Sequence, residues 1–126
     1  MDALHVCLNV SDADRLAEWY TEELGFDHSW EFTSDDGSTR NVYVADGNGF
    51  ELQLSDTDGE DEFEAGTAWD HFAVKVENVD GAFETIDHHG VVQEPADQPA
   101  ASARTAFIED PDGHVIELIE PLETAD

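Results

Sequence analysis

Apolar residues recur along the chain with a period of two, then with a helical period, then with a period of two again. Leu4, Val6, Leu8 and Val10 alternate with His5, Cys7 and Asn9, which predicts a half-buried strand over residues 3–10. Ser11 and Asp12 are good helix N-caps, Leu16, Trp19, Tyr20 and Leu24 form one helical stripe, and Gly25 suits the position after a helix end. Residues 26–32 and 40–44 read as strands on either side of the polar turn Ser34-Asp35-Asp36-Gly37-Ser38, and residues 50–54 as a fourth strand. The order is β-α-β-β-β. Residues 56–66 form an acidic linker, after which the pattern repeats. Residues 69–76 alternate, with Phe72, Val74 and Val76 on one face. Val79, Ala82, Phe83 and Ile86 mark a helix expected to end at Gly90. Residues 91–94 predict a weak strand, 95–101 a loop, and 103–109 and 115–120 the last two strands. The expected organisation is one domain over residues 1–126, with modules at about 1–55 and 67–121.

The repeat extends to polar residues. Asp46-Gly47-Asn48-Gly49-Phe50-Glu51-Leu52 aligns with Asp112-Gly113-His114-Val115-Ile116-Glu117-Leu118 at an offset of 117 − 51 = 66, and His5 aligns with His71 at the same offset. A fixed offset shared by two His/Glu pairs indicates an internal duplication. All four groups are odd-numbered on strands whose even positions are apolar. Each sheet is therefore expected to press its aliphatic face on its own helix and turn His5, Glu51, His71 and Glu117 to the other side. Two such sheets facing each other would make a cup, an α+β arrangement of two paired βαβββ modules. Imidazole and carboxylate together suit one divalent ion such as Ni²⁺, Co²⁺, Zn²⁺, Mn²⁺ or Fe²⁺. An octahedral ion so held would keep two positions for water or substrate.

Composition bounds the partners. The net charge is −28, with 32 acidic residues against four basic ones spread along the whole length. Such a surface repels nucleic acid and fits very high salt, where the Debye length falls to roughly 3 Å or less. The single cysteine forbids an internal disulfide and points to a reducing, cytoplasmic compartment. No apolar run approaches a membrane span, and no membrane partner is expected.

The chain resembles the vicinal oxygen chelate superfamily and, within it, the bacterial glyoxalase I (lactoylglutathione lyase) family. The resemblance rests on His5-Val6-Cys7-Leu8, Trp19-Tyr20, Leu24-Gly25-Phe26, Phe50-Glu51-Leu52, Gly66-Thr67-Ala68-Trp69-Asp70-His71 and the run from Phe107 to Glu120. It implies a glyoxalase/bleomycin-resistance fold, a metal held by His5, Glu51, His71 and Glu117, and a homodimer with sites between facing modules. The compact length resembles the forms that prefer Ni²⁺ or Co²⁺. The implied reaction is isomerisation of a hemithioacetal of methylglyoxal and a low-molecular-weight thiol to a 2-hydroxyacyl thioester. The resemblance makes Glu117 the principal base, with Glu51 sharing that role.

The chain departs from that family at the thiol-gripping positions. Asn9 stands where the family has an arginine, Ser55 where it has an asparagine, and Pro99-Ala100-Ala101 where it has Lys-Gly-Gly. The glutathione-anchoring set is therefore largely missing, which leaves the thiol open between glutathione and another small thiol. Lys75, the only lysine, is the mate of Asn9 (75 − 9 = 66), and is expected, with Arg104 or Arg40, to anchor an anionic substrate. Cys7 is expected to line the cup, Thr67-Ala68-Trp69 to wall it, and His28, His88, His89 and His114 to lie at the surface. The alternatives are another metal-dependent enzyme of the superfamily, of epimerase or dioxygenase type, or a ligand-sequestering protein. The epimerase branch usually has glutamine where Glu51 stands.

Overall fold

The computed structural model describes residues 1–64 and 66–122; residue 65 of the expected linker and the tail 123–126 lie outside them. The chain divides into two compact units, Met1–Glu64 and Ala65–Asp126. Each is a βαβββ module built on a four-stranded mixed sheet.

Module one consists of β1 (His5–Asn9), α1 (Ala13–Leu24), β2 (Asp27–Thr33), β3 (Thr39–Ala45) and β4 (Glu51–Thr57). The strand order is β1-β4-β3-β2, with β1 parallel to β4 and the other pairs antiparallel. Asp12 caps α1 by accepting from the backbone N–H of Asp14 and Arg15, and Gly25 ends it at φ 72°. The helical stripe Leu16, Trp19 and Tyr20 is buried, as are Leu8, Val10, Val42, Val44, Leu52 and Leu54 on the sheet. Burial of the even-numbered strand positions under α1 leaves the odd-numbered ones on the opposite face.

Module two repeats the plan with β5 (Phe72–Lys75), α2 (Val79–Thr85), β6 (Gly90–Gln98), β7 (Ala103–Glu109) and β8 (Val115–Pro121). Its order is β5-β8-β7-β6, with β5 parallel to β8. Val79, Ala106, Ile108, Ile116 and Leu118 are fully buried.

Several boundaries differ from the sequence pattern. β4 runs on through Asp56 and Thr57, because Asp56 ties the strand to the helix. Its Oδ2 accepts from the N–H of Ala13, 3.1 Å away, at the start of α1. β5 begins at Phe72, so His71 immediately precedes the strand instead of lying within it. α2 ends at Thr85, well before Gly90, with Ile86 already extended, and the His89 N–H bonds the Glu109 carbonyl, drawing the chain onto β7. Gly90 opens β6 instead; a Cβ there would come 2.9 Å from the Glu109 carboxyl. Residues 95–98, expected as loop, complete the long edge strand β6, which tolerates Pro95 through two register shifts against β7. The chain then makes one 3-10 turn over Pro99–Ala101.

Candidate metal centre

In module two the geometry around His71 is explicit. Its Nε2 lies 3.0 Å from Glu117 Oε1, and its Nδ1 lies 2.5 Å from Asp70 Oδ1. The ring stands edge-on to Phe107, with centroids 5.0 Å apart. The Asp70 carboxylate, and after it Glu117, raise the His71 pKa against the lowering effect of partial burial. An imidazole held by Asp70 through Nδ1–H presents the Nε2 lone pair to a carboxylate oxygen. In that tautomer Nε2 and the carboxylate oxygen are both free to donate a lone pair to one metal ion; with Nε2 protonated they share a hydrogen bond. Glu117 lies on the sheet face away from α2, because its neighbours Ile116 and Leu118 fill the core.

The turn before β8 fixes this placement. Asp110 is fully buried, and its Oδ1 accepts from the N–H of Asp112 and of His114, at 2.9 and 3.0 Å. Its Oδ2 lies 2.7 Å from His114 Nδ1. His114, expected at the surface, is thus largely buried against Asp110. Gly113 takes φ 86°, as the turn requires.

In module one His5 and Tyr43 repeat the edge-on ring contact, at 5.4 Å. Glu51 stands directly opposite His5 across the β1–β4 ladder and accepts from Ser29 Oγ, at the bulge of β2. Gln53 follows on the same face, and its Nε2 donates to Asn41 Oδ1 at 2.9 Å. Beside these groups the sheet carries an aromatic wall that the sequence pattern did not single out. Trp30 stacks on Tyr43 with centroids 4.2 Å apart, and on Phe32 at 5.5 Å.

The ladders correct the gap-free alignment. Glu51 opposes His5, whereas Glu117 opposes Ala73, two residues beyond His71. Asp46 accepts from the N–H of residues 48 and 50, as Asp110 does from residues 112 and 114, so Asp46 matches Asp110 and not Asp112.

The candidate anchors separate. Asn9 lines an open hollow of about 310 Å³ with residues 59–63, and Lys75 one of about 410 Å³ with Glu77 and Glu120. Arg104 is taken up elsewhere: its guanidinium grips Asp80 of α2 at 2.8 and 2.9 Å and Asp97 at 3.1 Å, on the helix-covered side of the sheet. Arg40 likewise bonds Asp14 of α1 and Glu31. Both arginines tie a helix to its sheet. Cys7 and Trp69 are exposed, as are His28 and His89, while His88 stacks on Phe83. No group of three or more His, Cys, Asp or Glu side chains placed to hold a metal occurs among the described residues, and no helix there is long and apolar enough to cross a membrane.

Residues 3–118 match the model of the Glyoxalase/Bleomycin resistance protein/Dioxygenase superfamily. The chain is 34% identical over 125 residues to the lactoylglutathione lyase of Escherichia coli O157:H7, covering 95% of this chain and 93% of that one. Among solved structures, glyoxalase I from Zea mays superposes with a TM-score of 0.82 at 29% identity over 96% of this chain; the chain spans 45% of the maize protein's length. The trypanothione-dependent glyoxalase I of Leishmania major gives 0.79 at 27% identity, covering 95% and 86%. With two βαβββ modules, a His/Glu pair on the free face of a sheet and a match over almost its entire length, the chain belongs to the Glyoxalase/Bleomycin resistance protein/Dioxygenase superfamily.

Proposed function

We propose that this chain is a metal-dependent isomerase of the glyoxalase I type. It would convert the hemithioacetal of a 2-oxoaldehyde, methylglyoxal, and a small thiol into a 2-hydroxyacyl thioester. The observation that carries the reading is the His71–Glu117 pair, with Nε2 and Oε1 3.0 Å apart and Asp70 behind the ring. The donor chemistry fits one divalent ion of intermediate hardness, Ni²⁺ or Co²⁺ before Zn²⁺, Mn²⁺ or Fe²⁺. The donors we propose are His5, His71 and Glu117, with β4 of module one supplying the fourth. When bound, the ion supplies Lewis acidity that offsets charge developing on the substrate oxygens. Glu117 takes the proton from the carbon bearing sulfur and returns it to the adjacent carbon; no atom is gained or lost. Asp70 fixes the His71 tautomer, and Trp30, Phe32 and Tyr43 offer an apolar wall that limits water.

Relatives named lactoylglutathione lyase across bacteria and plants support the reaction class. A structural relative described as trypanothione-dependent supports a thiol other than glutathione. Lys75 is the anion anchor we propose for this chain's thiol, with Asn9 at the corresponding place in module one. A homodimer in the cytoplasm, at high salt, completes the proposal. The test is an assay of methylglyoxal with a panel of small thiols, using protein stripped by chelator and reloaded with each ion. Thioester formation restored best by Ni²⁺ or Co²⁺, and lost in Glu117→Gln, is the expected result. Absence of thioester with every thiol and every ion overturns the reading.

A further inference from the structure

The two modules correspond through their own hydrogen bonds, and the offset that relates them is not constant. From β1 through the start of α1 it is 66. His5 matches His71, Val10 matches Val76, and the caps Asp12 and Asn78 correspond. From β3 onward it is 64. Arg40 bonds Asp14 as Arg104 bonds Asp80, where 104 − 40 = 64 and 80 − 14 = 66. Asp56 accepts from the Ala13 N–H as Glu120 accepts from the Val79 N–H, where 120 − 56 = 64 and 79 − 13 = 66. The Val10 N–H bonds the Ser55 carbonyl as the Val76 N–H bonds that of Ile119. The His5–Tyr43 and His71–Phe107 ring contacts obey the same pair of offsets.

Under this correspondence the mate of Glu117 is Gln53 (117 − 53 = 64). Both ladders agree: Tyr43 pairs with Gln53 as Phe107 pairs with Glu117, and Cys7 pairs with Gln53 as Ala73 pairs with Glu117. The mate of Glu51 is the apolar Val115. The sequence match of Phe50-Glu51-Leu52 with Ile116-Glu117-Leu118 therefore joins residues that occupy different places.

We infer that Gln53, and not Glu51, is the donor that module one places beside its histidine, through the carboxamide oxygen Oε1. This rests on the metal-centre reading above. Its Nε2 donates to Asn41 Oδ1, and the lone pairs of Oε1 are the amide's donor electrons for an ion. Glu51 lies two residues nearer the hairpin, held by the hydroxyl of Ser29. A neutral amide in this place leaves one carboxylate, Glu117, to face a divalent ion. The centre then keeps one more unit of positive charge than a two-carboxylate centre, and Glu117 stands as its single base.

The experiment is metal affinity, measured with Co²⁺ by chelator competition and by the visible absorption of the bound ion. The full chain is used with substitutions at both positions, and folding of each variant is verified by circular dichroism. Gln53→Ala is expected to weaken Co²⁺ binding by at least about 10-fold, the smaller end of what even a residue supporting a metal ligand contributes. Glu51→Ala is expected to leave it within about twofold, the behaviour of a residue that neither ligates nor supports a ligand. Gln53→Glu should retain the ion, bind it more tightly and change its absorption spectrum, whereas Glu51→Gln should leave the spectrum as it was. Equal or greater loss in Glu51→Ala, or a spectral change in Glu51→Gln, overturns the inference. Failure of the underlying reading looks different: His71→Ala and Glu117→Ala would then also keep the affinity of the parent protein.

Discussion

Asp110 and Asp46 make the same turn twice, once buried and once exposed, and so allow a matched perturbation. Asp110 has no exposed surface and accepts from two backbone N–H groups and from His114 Nδ1. Replacing it with alanine removes three bonds to a charged acceptor and strands their donors in a closed environment. At about 1.5 kcal/mol for each such bond, Asp110→Ala should cost about 4–5 kcal/mol. Among the described residues the exposed Asp46 carboxylate accepts two backbone bonds, at 2.7 and 3.1 Å, and water can replace it, so Asp46→Ala should cost about 1–2 kcal/mol, the size of a lost helix cap. Asp110→Asn keeps the Oδ1 acceptor and should fall between the two. The assay is urea unfolding by circular dichroism in molar KCl. With a denaturant slope of about 2 kcal/mol/M, the alanine variants should differ by more than about 1 M in midpoint. An Asp110→Ala midpoint no lower than that of Asp46→Ala would refute the reasoning that burial, and not the turn itself, sets the cost.

Gly25→Ala should cost about 1 kcal/mol through backbone conformation alone, since φ is 72° and a Cβ there meets nothing within 4 Å; Gly25→Asn, measured in the same unfolding assay, should recover part of it. Asp36 has its pKa lowered to about 2, first by the Ser38 N–H and then by the Ser34 and Ser38 hydroxyls. Its contribution to stability is therefore complete above the ordinary value of 3.8 and lost as pH falls through 2, which carboxyl NMR titration of the wild type and thermal melts of Asp36→Asn will check. Raising KCl from about 0.1 M to several molar should raise the melting temperature markedly, because the Debye length shrinks from about 10 Å to 3 Å or less around a chain of net charge −28; a flat salt profile contradicts this. Lys75→Gln should raise KM for the hemithioacetal several-fold with little change in kcat, and an unchanged KM removes Lys75 from the substrate's grip.

The strands and α1 were legible because burial on one side of a sheet imposes strict alternation, and because Ser11-Asp12 and Gly25 bracket the helical stripe. What escaped the pattern depended on contacts distant in sequence. Asp56 reads as linker acidity until its carboxylate is seen at the N–H of Ala13. Gly90 reads as a helix terminator, yet its missing side chain serves to clear Glu109. Arg40 and Arg104 read as available cations, and each is already committed to an aspartate on its own helix. His114 reads as a surface residue because its partner, Asp110, looks in sequence like ordinary turn chemistry.

The identity of the fourth donor shows why spacing alone misleads in a duplicated chain. β4 carries Glu51 and Gln53 two residues apart, so alternation puts both on the free face and cannot choose between them. Apolar neighbours flank each, so local pattern does not choose either. The hairpins decide, because a strand's register is set by its turn. Five residues separate Ala45 from Glu51, and five separate Glu109 from Val115, with an aspartate making the same two backbone bonds at the start of each. Equal turns force equal registers, and equal registers bring Gln53 to the place of Glu117. A glutamate at that place would count against the epimerase branch; Gln53 there does not. The reaction class then rests on the relatives and on the thiol assay, while the Co²⁺ affinities of the Gln53 and Glu51 variants decide which of the two residues faces the ion.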